Sequence, residues 1–246
     1  MSKPPVYHDF IEACAGTSCP AQSGCPLCRL VGVAVQAALR VMLHDDNLLN
    51  PKTRDQLHQS LGFCREHTWL LLETQIGNAL GISILYEDLL KQVQKGLSQA
   101  AEALEGQRSV RLKWARPGAD KLSLEQQALR PERPCPACHA QESIERQALD
   151  MLSASLNEPD LVQALRSSGG LCLPHLDQAF ARLSRTADRQ LLLEISQQHL
   201  QSLREELLEF IRKNDYRFHH EKIGKEGNAW KRAMGIAVGE KRDGKL

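Results

Sequence analysis

The sequence predicts an all-α protein made of two copies of one helical repeat. Three observations carry that expectation. Apolar residues recur at three- and four-residue steps, and no stretch alternates with period two for long enough to suggest a strand. A CPxC motif followed by a Gly-x-CxxH motif occurs twice. Cys25-Pro26-Leu27-Cys28 precedes Gly62-Phe63-Cys64-Arg65-Glu66-His67, and Cys135-Pro136-Ala137-Cys138 precedes Gly170-Leu171-Cys172-Leu173-Pro174-His175. The spacers also correspond: Leu48, Pro51, Leu57 and Gly62 match Leu156, Pro159, Leu165 and Gly170 at an offset of 108, and Ala38-Leu39 match Ala148-Leu149 at 110. A two-residue deletion reconciles the offsets, so the chain reads as an internal duplication.

The elements follow in order within each copy. After CPxC, Leu30 to Leu43 and Ser143 to Leu156 are apolar-rich and full of helix formers. Asn50-Pro51 supplies an N-cap and a proline at the first helical position, and Glu158-Pro159 repeats it with a weaker cap. That short second helix stops at Gly62, or at Gly169-Gly170. CxxH then opens a longer helix or helix pair. Leu85, Leu89, Val93, Leu97 and Leu104 keep an apolar stripe there, as do Leu193, Leu200, Leu203, Leu207 and Phe210 in the second copy.

These elements give the expected organisation: an N-terminal arm (1–24), a first repeat (25–104), a linker (105–134), a second repeat (135–213) and a C-terminal extension (214–246). The linker carries Pro117, Gly118, Pro131 and Pro134, with a short helix expected near Leu122 to Leu129. In the extension, Trp230, Ala233, Met234 and Ala237 share a helical face that is expected to dock on the core.

Composition narrows the function classes. The 246 residues carry 31 Lys+Arg against 30 Asp+Glu, so net charge points to neither nucleic acid nor membrane. The most apolar stretch, Leu27 to Leu43, is broken by Arg29, Gln36 and Arg40 and does not read as a membrane span. The start lacks the pattern of an export signal, and the expected location is cytoplasmic. In a reducing compartment, clustered cysteines more often bind metal or do redox chemistry than form structural disulfides.

The chemistry of the paired motifs favours metal. A CPxC turn sets two sulfurs on one side of a tight loop. The positive end of the following helix favours the thiolate. Two residues three apart at a helix start share a face, so Cys64 with His67 and Cys172 with His175 form the other half of a ligand set. Read within each copy, Cys25, Cys28, Cys64 and His67 form one Cys3His site, and Cys135, Cys138, Cys172 and His175 form the other. Each is a closed tetrahedral set for Zn²⁺ with no position for substrate, which pins the first helix of its copy to the third.

Three competing chemistries share these motifs. They are a reversible dithiol (which needs a βαβ context absent here), an iron–sulfur cluster on the same ligands, and covalent haem on Cys135-Pro136-Ala137-Cys138-His139. Haem is the weakest, because Arg29 stands in copy one where His139 stands in copy two. Cys14 and Cys19 lie outside the repeat. They read as ordinary thiols in a loose arm, with a redox pair or substitute ligands as the sharper alternative.

Several motifs resemble an uncharacterised prokaryotic family known only as a domain of unknown function. The resemblance rests on CPLCRL, GFCREHTWLL, ISILYEDLL, the second CPxC…GLCxxH, and KNDYRF…GNAWKRAMGIAVG, so it spans nearly the whole chain. It implies a duplicated Cys3His metal-binding helical protein and brings no established activity. The chain departs from the family at Asn228-Ala229 and in carrying Cys14 and Cys19.

No Walker A sequence, GxGxxG, GxSxG or HExxH is present, and no nucleophile or acid–base pair stands out. The expected function is that of a zinc-stabilised accessory or adaptor protein acting through protein partners, and nothing in the sequence points to an enzyme. A redox or iron–sulfur electron-transfer protein is the alternative. Nucleic-acid binding is the weaker one, through a segment (211–246) with ten Lys/Arg against five Asp/Glu, interleaved with Tyr216, Phe218 and Trp230.

Overall fold

The structure is a computed structural model that describes residues 3–15, 24–44, 47, 50–109 and 123–240. Among them every regular element is helical, as the periodicity predicts. The α-helices run in order: α1 Pro5–Ala15, α2 Pro26–Met42, α3 Pro51–Gln59, α4 Arg65–Thr74, α5 Ala79–Ser109 and α6 Leu124–Ala128. Then come α7 Pro136–Ser155, α8 Pro159–Ser167, α9 Leu173–Arg182, α10 Thr186–Lys213, a 3₁₀ turn Lys225–Asn228, and α11 Ala229–Val238.

The local signals act where they were read. Asn50 Oδ1 accepts the N–H of Lys52 at 2.9 Å, with Pro51 at the first helical position. The repeated glycine before each third cysteine is left-handed, with φ +86° at Gly62 and +81° at Gly170. A Cβ at Gly170 would stand 2.6 Å from His199 Nδ1, so the turn requires glycine for conformation and for space. The segment after CxxH is a helix pair in both copies: α4 and α5 are split by left-handed Gln75 (φ 54°), and α9 and α10 by Leu183 to Arg185.

The chain divides into two compact units that cut across the repeats. Unit 1 comprises Met1–Ala34 and Gln141–Leu246; unit 2 is Val35–Ala140. The boundaries fall inside α2 and near the start of α7, so each unit takes residues from both copies.

Unit 1 has a core of Tyr7, Phe10, Leu27, Leu30, Leu149, Leu152, Leu156, Leu161, Leu165, Leu192 and Ile195. The N-terminal segment is not a loose arm in its described part. Helix α1 buries Tyr7, Phe10, Ala13 and Cys14 and packs against α8, and Lys3 pairs with Glu158 at 3.1 Å. Its apolar face removes four side chains from water, and that burial explains why the segment is ordered.

The C-terminal helix forms as expected but turns its other face inward. Ala229 and Ile236 are buried, while Trp230 and Met234 are 45% and 62% exposed. Ion pairs fix this orientation. Arg232 bonds Glu206, and Lys213 Nζ reaches Glu226 Oε1 at 2.7 Å.

Unit 2 buries Val35, Leu39, Leu43, Leu57, Phe63, Leu70, Leu71, Ile76, Leu85 and Leu89. The short linker helix is α6, which packs against α5. A Cβ at Gly96 would come within 2.9 Å of the Ala128 Cβ, so glycine permits this close approach. The Gln59 carbonyl accepts N–H groups from Glu132 and Arg133 at 2.7 and 3.1 Å and ties the linker's end to α3.

Candidate metal centres

All four half-motifs are built in one way. Cys25, Cys64, Cys135 and Cys172 each stand immediately before a helix, and Cys28, His67, Cys138 and His175 occupy its third position. Each carbonyl of the first set accepts the N–H four residues on: Arg29 (3.2 Å), Thr68 (2.9 Å), His139 (3.1 Å) and Leu176 (2.8 Å). In this N-cap-to-N3 geometry the two side chains of a half-motif face each other, as in a capping box. Pro26 and Pro136 pre-set the first helical φ at both CPxC motifs.

The structure joins these halves crosswise. Cys25 and Cys28 of copy one meet Cys172 and His175 of copy two, within unit 1. Cys64 and His67 of copy one meet Cys135 and Cys138 of copy two, within unit 2. The eight residues are those expected from the motifs, but the pairing within each copy is corrected. The physical reason is that both CPxC motifs and both CxxH motifs offer the same donors in the same helix-start geometry, so local spacing permits either pairing. Contacts distant in sequence, 25–28 with 172–175 and 64–67 with 135–138, decide it.

Both groups have the dimensions of a single tetrahedral ion. In the first, Cys28 Sγ is 3.7 Å from Cys172 Sγ, and His175 Nδ1 lies 3.4, 3.4 and 3.2 Å from the sulfurs of Cys25, Cys28 and Cys172. In the second, Cys64 Sγ is 3.6 Å from Cys138 Sγ, and His67 Nδ1 lies 3.2, 3.8 and 3.4 Å from Cys64, Cys135 and Cys138. Tetrahedral bonds of about 2.3 Å to sulfur and about 2.0 Å to nitrogen require edges of roughly 3.8 and 3.6 Å. The donor set and its spacing fit.

Protonation points the same way. Burial pushes the Cys25 thiol well above its ordinary range, while hydrogen bonds from Cys25 and Cys28 hold Cys172 far below it. Burial opposes charge on His175, but hydrogen bonds to Cys172, Cys28 and Glu145 outweigh it and raise the imidazole to about 11. In the second group, burial and the neighbouring sulfurs push Cys138 up to about 12. Sulfurs packed this closely resist sharing negative charge, and a dication relieves that conflict.

The surroundings of the two groups differ. All four donors of the first are buried, whereas Cys64 and Cys138 of the second are half-buried. His175 Nε2 meets Glu145 Oε1 at 3.1 Å, and Gln178 Nε2 donates to the same oxygen at 3.0 Å. Val35 occupies the position in copy one that corresponds to Glu145. The end of α11 covers the first group. Gly239, at φ +89°, would place a Cβ 3.6 Å from Cys28 Sγ and 3.8 Å from Cys172 Sγ, and the Glu240 N–H donates to Cys28 Sγ at 3.4 Å. Arg29 binds the carbonyls of Ala13 (2.7 Å) and Gly24 (2.6 Å) and holds the entry to α2.

Glu145 and Glu240 carried no signal in the sequence; Arg29 and Gly239 stand in the CPLCRL and GNAWKRAMGIAVG segments, where spacing does not show what they contact. Cys14 lies in the unit 1 core outside both groups, its thiol pushed up to about 12 by burial; Cys19 lies outside the described residues. His139 is exposed while Cys135 and Cys138 face His67, which leaves the haem pattern without its geometry. No described helix is long and apolar enough to cross a membrane.

No curated protein and no solved structure gives a significant match to this chain. The model of a family of unknown function matches residues 16–244, which takes in both ligand groups and the C-terminal helix that covers one of them. The chain belongs to that family, DUF6062.

Proposed function

We propose that the two Cys3His groups each hold one Zn²⁺ as a structural ion, with Cys25, Cys28, Cys172 and His175 at the first site and Cys64, His67, Cys135 and Cys138 at the second. The protein then works as an accessory or adaptor through protein partners. The observation that carries the reading is the spacing of the donors, all within 4.8 Å of one another in each group. That enclosure suits a single ion; a multi-iron cluster would hold its ligands farther apart. Four protein ligands leave no position for substrate, which is the pattern of structural zinc. Such an ion contributes on the order of 10–16 kcal/mol at neutral pH, so metal and fold are coupled.

A protein partner is supported by large exposed apolar side chains, including Trp69, Leu72 and Leu80 in unit 2. Nucleic-acid binding through the basic C-terminal segment has less support. Arg212 pairs with Glu209 and Glu221, Lys213 with Glu226, Arg217 with Asp215, and Arg232 with Glu206. Those cations are already neutralised within the chain.

Metal analysis with an absorption spectrum on anaerobically purified protein tests the zinc reading. About two zinc per chain and no visible bands are expected. Iron with sulfide and a brown colour would overturn it. Pull-down with the intact chain tests the adaptor reading: a partner retained by wild type and lost on Trp69→Asp/Leu72→Asp supports it, and no stoichiometric partner counts against it.

A further inference from the structure

We propose that Cys64 and Cys138 are a peroxide-sensitive pair: their oxidation to a disulfide expels the second site's ion while the first site keeps its own. The inference rests on the metal reading above. Three observations carry it. The two sulfurs stand 3.6 Å apart, and both residues are half-buried. The first site has a similar sulfur pair, Cys28 and Cys172 at 3.7 Å, but all its donors are buried. That pair also lies beneath Gly239, and Cys28 accepts the N–H of Glu240. An N–H donated to a thiolate withdraws charge from the sulfur and lowers its nucleophilicity. Access and hydrogen bonding therefore both direct an oxidant to the second site.

The chemistry balances with one peroxide. One thiolate attacks the O–O bond of hydrogen peroxide, taking an OH group to become a sulfenic acid and releasing hydroxide. The other thiolate attacks that sulfenic sulfur, forms the S–S bond and displaces a second hydroxide. Two protons from solvent convert both hydroxides to water. The two sulfurs together give up two electrons, which reduce the peroxide. Only Cys135 and His67 then remain as ligands, half of the tetrahedral set, and the ion leaves. A dithiol reductant reverses the step by thiol–disulfide exchange.

The test uses the intact wild-type chain. Metal content is measured first, then hydrogen peroxide is added with a chromogenic zinc chelator, and disulfides are mapped by mass spectrometry at early times. The expected result is release of about one of two equivalents, at least tenfold faster than the other, with a Cys64–Cys138 crosslink forming first and zinc rebinding after dithiothreitol. Equal release of both ions, no release, or a first disulfide involving any other pair would overturn the inference. Absence of metal before peroxide is added would overturn the zinc reading instead. The disulfide map of that metal-free chain would still decide whether Cys64 and Cys138 are the reactive pair.

Discussion

His175 and Glu145 are joined by a 3.1 Å contact between imidazole Nε2 and carboxylate Oε1, which leaves Nδ1 facing three sulfurs. With an ion bound, this contact would hold the proton on Nε2 and leave the Nδ1 lone pair for the metal. A carboxylate behind a ligating histidine orients the ring and strengthens it as a donor. Gln178 holds the same carboxylate oxygen from one turn of α9 farther along.

Removing that support should weaken one site alone. Glu145→Ala is expected to lower the affinity of one of two bound ions by about 10–100-fold. Glu145→Gln, which still presents an acceptor, should lose less. Chelator competition on the full chain reads both affinities. No change at either site and an equal loss at both sites are the two results that would refute the assignment.

The crosswise pairing makes a sharper prediction about double variants. Cys28→Ser/Cys172→Ser removes two ligands of one site and should leave about one ion per chain. Cys28→Ser/Cys64→Ser damages both sites and should leave close to none. Pairing within each copy predicts the reverse, so metal stoichiometry on the two proteins decides between them.

Gly170→Ala should destabilise unit 1. Alanine at φ +81° meets the left-handed penalty, and its Cβ would stand 2.6 Å from His199 Nδ1. A loss of roughly 1–3 kcal/mol in denaturant unfolding is expected. A neutral substitution would mean that the turn relaxes.

Cys14 should make the protein less stable in alkali. Its thiol is raised in the folded state from 9.0 to about 12 by burial, with Arg29 opposing. The neutral form is favoured on folding, so the contribution is fully present below pH 9 and is lost as pH rises toward 12. Linkage sets the slope at roughly 1 kcal/mol per pH unit in that window. Denaturant titrations of wild type and Cys14→Ala should diverge there. Curves that stay parallel to pH 11 would remove this residue from the account.

Glu226 holds the C-terminal helix by accepting from Lys213 Nζ and from the Gly224 N–H at 2.8 Å. Those bonds, the Gly224 amide first, hold its carboxyl down at about 2. Its contribution is present above the usual carboxylate range and is lost as pH falls toward 2. Glu226→Gln should loosen 225–240 and speed zinc loss from the first site to a chelator. Hydrogen exchange over those residues, with the release rate, checks both parts.

Much of this architecture was legible in the sequence because its causes are local. Asn50-Pro51 begins α3 through a cap bond to Lys52, Gly62 and Gly170 end their turns through a φ that other residues resist, and the CxxH spacing reflects the N-cap and N3 positions of one helix. The outer supports were not legible, since Glu145 and Glu240 reach their partners from residues 30 and 212 positions away. The docking face of α11 was misread for a similar reason. Trp230 and Met234 share an apolar stripe, but the Arg232–Glu206 and Lys213–Glu226 pairs turn Ala229 and Ile236 inward.

The sequence by itself pointed to the helices, the recurring motifs and the eight Cys and His residues that cluster, because spacing along a helix is a short-range property. Only the tertiary structure decided which halves meet. Two CPxC motifs and two CxxH motifs are chemically equivalent, so composition and spacing allow either pairing. The packing of each unit brings the CxxH of one copy to the CPxC of the other, a long-range choice that no local spacing encodes.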